Sequence, residues 1–168
     1  MLINYSITPC PLGLLLVAAT EKGVCKVTLG DDAAAMESAL RSEYPAAKLE
    51  GNLERLQGTI DSLIQYMEGK TPQLELSLDI QGTAFQWRVW KALQSIPYGS
   101  THSYAQVAEA IGSPTATRAV AQACANNPVA LVIPCHRVVR SDGSLSGYRW
   151  GVERKQALLD QEQKGKTS

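Results

Sequence analysis

Residues 103–125 read SYAQVAEAIGSPTATRAVAQACA, and this stretch decides how the second half of the chain folds. Ser103–Ile111 has helical spacing, and Gly112 ends it, because glycine takes the left-handed residue after a helix without strain. Ser113 is placed to cap a second helix over Thr115–Ala125, with Pro114 at its first position. The inner face of that helix is Ala116, Val120, Ala123 and Cys124. Its outer face is Thr115, Arg118, Ala119 and Gln122. Two short helices with a tight turn and a small, polar outer face fit a helix-turn-helix. A generic helical pair has the same periodicity.

Upstream, Thr83-Ala84-Phe85-Gln86 is a capping box that opens a helix with Phe85, Val89, Leu93 and Ile96 on one face. Pro97-Tyr98-Gly99 closes it. Gln81-Gly82 marks a boundary, so domains are expected at 1–81 and 82–168. The first begins with strands Leu2–Thr8, Leu12–Ala19 and Val24–Leu29, separated by the turns Pro11-Leu12-Gly13 and Glu21-Lys22-Gly23. A helix follows over Asp31–Glu43, capped by Asp31 or Asp32. Residues 44–52 read as a loop. Leu53–Met67 is a helix with Leu53, Leu56, Ile60, Leu63, Ile64 and Met67 in one stripe. Leu74–Ile80 alternates apolar and polar like a connecting strand.

Downstream, Asn127-Pro128 makes a turn. Val129–Ile133 is an unbroken apolar run, expected as a buried strand leading into Pro134-Cys135-His136-Arg137. Val138–Leu145 holds Ser141-Asp142-Gly143, a hairpin-type turn, and Val152–Gln161 is a last helix.

Composition narrows the class. With 45% apolar and 19% charged residues over 168 positions, the chain is globular rather than disordered. No apolar run approaches the roughly 18 residues of a membrane helix. The opening lacks a basic-then-apolar leader, so a cytoplasmic, reducing location is expected. Cys10, Cys25, Cys124 and Cys135 form no CxxC pair, and His102 and His136 are the only histidines. Neither a zinc site nor a disulfide framework is expected. Charge divides unevenly: residues 1–82 carry six Lys and Arg against eleven Asp and Glu, whereas residues 83–168 carry ten against five. A net of −5 beside +5 points the second half toward an anion such as nucleic acid, although chance produces splits of this size.

The chemistry concentrates in Pro134-Cys135-His136-Arg137. A cysteine flanked by imidazole and guanidinium sits where a nucleophilic thiolate is stabilised. Direct contact between Cys135 and His136 needs a turn there, because neighbours on an extended chain point opposite ways. A small core cysteine beside a surface histidine also fits these residues. Glu162 shares a helix face with Leu158 and Leu159, so inward leucines would draw its carboxylate toward His136. That makes a Cys-His-Glu relay; a solvated Glu162 at a frayed helix end is the plain alternative. Asn127 either ties the loop by side-chain hydrogen bonds or only forms the turn.

Ile133-Pro134-Cys135-His136-Arg137-Val138-Val139, with Ser103-Tyr104, Arg118-Ala119-Val120, Asn127-Pro128 and Gly147-Tyr148, resembles the O6-alkylguanine-DNA alkyltransferase family over about residues 80–163. Ser146–Val152 is most similar to the C-terminal half of Ada-type response proteins. The resemblance implies an α/β fold of the α+β kind: an N-terminal antiparallel sheet with helices, RNase H-like, then a helical, winged-helix-like DNA-binding domain. It implies a DNA repair activity in which Cys135 takes the alkyl group from O6-methylguanine, or less efficiently O4-methylthymine, in double-stranded DNA. The transfer would be irreversible, happen once per molecule, and need no cofactor or metal. The protein would act as a monomer.

By the same resemblance Glu162, His136, a water and Cys135 lie in line over Asn127. Tyr104 aids rotation of the phosphate and donates to the leaving base. Arg118 fills the gap left by the flipped nucleotide, on a helix whose Thr115, Ala119 and Gln122 face the minor groove. Pro134, Val138, Tyr148, Arg149 and Trp150 line the base pocket. A tryptophan at 150, where some relatives have glycine, implies a pocket that favours methyl over benzyl. Three rivals remain: a lesion-sensing module, which lacks the acceptor cysteine; a thiol hydrolase, which would turn over repeatedly; and a DNA-binding regulator with a spectator cysteine.

Overall fold

The computed structural model describes residues 1–145 and 147–167, and the chain divides into two compact units, Met1–Ile80 and Gln81–Ser168. In the first unit, β1 (Leu2–Cys10), β2 (Gly13–Thr20) and β3 (Gly23–Gly30) form an antiparallel meander closed by two-residue turns. Helix α1 (Ala33–Glu43) follows, its first turn capped by Asp32, whose side chain accepts from Ala35 N. Residues 48–51, expected in a loop, form strand β4 (Lys48–Gly51) parallel to β1. The sheet order is β3-β2-β1-β4, so the sheet is mixed rather than wholly antiparallel. The four residues of β4 carry little apolar pattern, and their pairing is set by the β1 backbone, which local sequence does not display.

Leu74–Ile80 is not a strand. A single bridge joins Val24 to Leu78, through Val24 N to Ser77 O and Asp79 N to Val24 O, both 2.8 Å. A bulge places Cys25 as the extra residue of β3 between Lys26, which faces Ala18, and Val24, which faces Ala19. The break in the ladder stops this pairing from extending. Gly23 makes the approach possible: a Cβ there would lie 2.5 Å from Ser77 O.

One sheet face buries Ile3, Leu16, Ala18 and Cys25 against Leu40 of α1, with Tyr5, Met36 and Tyr44 at the margin. Helix α2 (Leu53–Met67) packs on β1 and β2 through Leu56, Ile60, Leu63, Tyr66 and Met67. Of the expected stripe, Leu53 is exposed and Ile64 half-buried, while Tyr66 joins the core.

The second unit holds the residues singled out above. Helix α3 (Ala84–Gln94) opens with the expected capping box of Thr83 and Gln86. Val89, Trp90, Leu93 and Ile96 are buried, and Phe85 is half-buried. A two-residue strand β5 (His102–Ser103) leads into α4 (Tyr104–Ala110), capped by Ser103 and Gln106. Gly112 ends it at φ 77°.

The next helix, α5 (Thr117–Ala125), starts two residues later than expected, and Ser113 does not cap it. The Ser113 hydroxyl instead accepts from Arg88 Nη2 at 3.0 Å, and its carbonyl closes a turn with Ala116 N. Val120, Ala123 and Cys124 face inward, and Trp90 Nε1 donates to Ala123 O at 3.0 Å.

The apolar run 129–133 is buried but is not a strand. It is a set of tight turns, with Ile133 N bonded to Val129 O and Leu131 at φ 72°. An unbroken apolar run signals burial and leaves the backbone conformation undetermined. A 3-10 turn (Cys135–Arg137) follows, then β6 (Val138–Val139), which pairs parallel with β5. Residues 140–144 form the expected turn, with Gly143 N bonded to Arg140 O. Helix α6 (Val152–Thr167) completes the unit.

Candidate active site

Asn127 organises the turn that carries Cys135. Its Oδ1 accepts from Val129 N at 2.9 Å, and its Nδ2 donates to Ile133 O at 2.8 Å. One side chain thus supplies the partners that a neighbouring strand would have given this buried backbone. The same Nδ2 lies 3.3 Å from Cys135 Sγ. The 3-10 turn meets the condition set by the sequence, that adjacent cysteine and histidine need a bend to share a site.

His136 is fully buried, and its Nε2 lies 2.6 Å from Glu162 Oε2. Glu162, at 2% exposure, is inside the unit and not at a frayed end. Its other oxygen accepts from Arg137 Nε at 2.8 Å and from Gly99 N at 3.2 Å, and Arg137 Nη2 reaches Oε2 at 3.3 Å. Arg137 also donates to Ile96 O at 2.7 Å and stacks its guanidinium on Tyr98. A buried carboxylate is tolerated when paired and hydrogen-bonded in this way. Arg137 is thus a further member of the site, paired with the carboxylate that holds His136. Its signal in the sequence is its place beside His136, with one carboxylate in reach of both.

The electrostatics differ from expectation in one respect. Burial pushes the Cys135 thiol up to about 11, although Asn127, Lys155 and Arg149 each pull it back. The resting sulfur is therefore a thiol, because loss of hydration outweighs the neighbouring positive charge. Burial also lowers His136 below the ordinary histidine value, against the opposing pull of Glu162, so the imidazole rests neutral. With its Nε2 proton directed at the Glu162 carboxylate, Nδ1 is left as the basic nitrogen.

A cleft of about 530 Å³ is lined by Tyr104, Ala121, Cys124, Ala125, Arg140, Gly147, Tyr148 and Arg149. Tyr104, Tyr148 and Arg149 thus meet at the cavity expected to hold a base. Pro134 and Val138 are buried outside its lining, as is Trp150, whose ring meets Tyr148 edge-on at 5.2 Å. Arg149 Nη1 donates to Asn127 O at 2.8 Å, which joins the cleft wall to the residue beneath the sulfur. Cys135 is 4% exposed and is not among the lining residues, to which Asn127 and Arg149 connect it; Cys124, expected only as a core residue, is part of the lining. Thr115, Arg118, Ala119 and Gln122 are all exposed on or just before α5. Ser146 lies outside the described residues. Among the described residues no three His, Cys, Asp or Glu side chains are grouped to hold a metal, and no helix is long and apolar enough to cross a membrane.

Two family models match. One, described as the ribonuclease-like domain of 6-O-methylguanine DNA methyltransferase, covers residues 3–80. The other, described as the DNA binding domain of the same protein, covers residues 84–164. The chain is 51% identical over 160 residues to the bifunctional transcriptional activator/DNA repair enzyme Ada of Escherichia coli, covering 95% of this chain and 45% of that protein. It is 39% identical to the methylated-DNA–protein-cysteine methyltransferase of Mycolicibacterium paratuberculosis, over 94% of this chain and 91% of that one. The chain therefore spans about half the length of the Ada proteins it matches. A crystal structure of Mycobacterium tuberculosis OGT in complex with DNA superposes with TM-score 0.82 at 35% identity, covering 96% of this chain and 94% of that one.

Proposed function

The chain belongs to the 6-O-methylguanine DNA methyltransferase family, and on that premise we propose that Cys135 takes the methyl group from O6-methylguanine in double-stranded DNA. The observation that carries this reading is the buried sequence of Asn127, Cys135, His136 and Glu162, held beside a cleft walled by Tyr104, Tyr148 and Arg149.

The proton on Cys135 Sγ passes to His136 Nδ1, directly or through a water. Glu162 steadies the imidazolium that forms, as the orienting acid of a triad does. Arg137 holds Glu162 in place from its other side. The Sγ anion attacks the methyl carbon in line with O6. The S–C bond forms as the C–O6 bond breaks, and the electron pair leaves with guanine. Tyr104 donates to the ring as the base gains charge. O4-methylthymine enters by the same route.

The methyl carbon is out of reach inside a duplex, so the nucleotide must flip. Arg118 fills the vacated stack and offsets part of its cost, while Ala119 lets the helix approach a groove only about 6 Å wide. Thr115 and Gln122 contact the backbone beside it. Helices α4 and α5 act as a helix-turn-helix in the cytoplasm.

Incubation with an oligonucleotide carrying O6-methylguanine, followed by intact mass, tests the reading. One added methyl on the Cys135 peptide is the expected result. Repeated turnover, or a methyl on another residue, rejects it.

A further inference from the structure

Helix α6 buries three side chains in one stripe, Lys155, Leu158 and Glu162. The spacing of three and then four residues keeps them on one face. Glu162 serves His136 and Arg137. Lys155 lies two turns earlier, about 10 Å back along the axis from the helical rise. Since α6 packs on the 3-10 turn, the helix brings an acid to His136 and a cation toward Cys135. At 1% exposure Lys155 is as enclosed as His136. Lysine is seldom buried so fully, because its ammonium loses its hydration. No step in the transfer described above uses it.

We infer that Lys155 is a positioning residue for the transfer: its ammonium is the standing positive charge against which the Cys135 thiolate forms. It touches neither the alkyl group nor the base. This rests on Cys135 being the acceptor. Asn127 donates directly to Sγ, and Arg149 and Lys155 act on it through their fields. Burial lowers the Lys155 pKa, the fields of Cys135 and Cys124 favour its charge, and that of Arg140 opposes it. The same cation disfavours protonated His136, whose charge Glu162 favours. Burial and Arg137 do most to keep the base neutral at rest; Lys155 adds to them and favours the anion that the base creates.

The test uses iodoacetamide, which needs no DNA, with alkylation followed on the Cys135 peptide as a function of pH. Below the thiol pKa the rate rises about tenfold per pH unit. In the native protein the rise levels off below the ordinary lysine value of 10.5, because each further thiolate then forms beside a neutral amine. Lys155→Met removes the levelling and lowers the rate near neutrality by about tenfold or more, since each unit of raised pKa is worth that factor. Lys155→Arg keeps the charge and restores most of the rate.

A structural role for Lys155 would lower the rate by one factor at every pH and leave the levelling in place. That result, or Lys155→Arg losing as much as Lys155→Met, overturns the inference. If neither variant folds, the native profile decides alone: an unbroken rise to pH 10.5 overturns it. Failure of methyl transfer from DNA would reject Cys135 as the acceptor while leaving these rates readable.

Discussion

His136 Nε2 and Glu162 Oε2 lie 2.6 Å apart, both buried, and the carboxylate that holds the imidazole is itself held by Arg137. Glu162→Gln removes the charge, loosens the imidazole and leaves the Arg137 guanidinium buried without its anion. Breaking a buried pair from one side costs about 3–5 kcal/mol. Loss of an oriented general base costs about 10²- to 10⁴-fold in rate. Urea denaturation and single-turnover transfer read the two effects, and unchanged stability would refute the pairing.

Asn127→Ala deletes the partners of Val129 N and Ile133 O together with the bond to Sγ. Each buried polar group left unsatisfied costs about 1–3 kcal/mol, so an overall loss of about 2–5 kcal/mol is expected in denaturant melts. The Cys135 rate falls as well, because the loop that carries the sulfur is no longer tied.

Stability falls on both sides of neutrality. His136 binds its proton less readily when folded, so the unfolded chain takes up more protons below the ordinary histidine value of 6.5, and stability declines as pH drops through that window. Cys135 and Cys25 hold their protons up to about 11 when folded, against 9.0 for a free thiol. The unfolded chain therefore releases protons first, and stability declines from pH 9 to 11. Lys155, lowered by burial, works the other way below 10.5 and offsets part of this loss. Thermal melts across pH give the profile, and replacing His136 by Gln removes its acid limb.

Arg118→Ala separates DNA handling from chemistry. Arg118 is exposed on α5, away from the buried relay. Transfer from duplex DNA falls about 10-fold or more, in line with an unstacking cost of a few kcal/mol that is no longer offset. Transfer from the free base O6-methylguanine, which needs no flipping, stays at the native rate. Equal losses on both substrates would place Arg118 in the chemistry instead.

Trp150→Gly tests the pocket. Trp150 backs Tyr148, which lines the cleft. Removing the indole gives Tyr148 room to move, and the benzyl-to-methyl rate ratio rises. An unchanged ratio would show that Trp150 does not set the size limit.

How much of this was legible in the sequence depends on where the signal lies. The capping boxes at Thr83 and Ser103 are local chemistry, and both helices begin where those residues place them. Glu162 could be drawn to His136 because Leu158 marks the inner face of α6. The same stripe contains Lys155, yet a lysine between Arg154 and Gln156 reads as a solvated charge until the helix is packed. Strand β4 and the turns of 129–133 were hidden for another reason. The first depends on a partner strand 40-odd residues away, and the second on the Asn127 side chain, which substitutes for one. The thiol shift escaped because burial outweighs the adjacent cations, a balance that spacing alone does not express.

The bond proposed to form at Cys135 has a consequence for dose. A methyl thioether on that sulfur is a carbon–sulfur bond that neither water nor a thiol reductant cleaves, and no general base or leaving group beside it, in Asn127, His136 or Glu162, reverses the transfer. On the proposed reading, protection scales with the number of molecules in stock when damage arrives and fails at a threshold: lesions up to that number would be cleared, and those beyond it would persist until new chains are made.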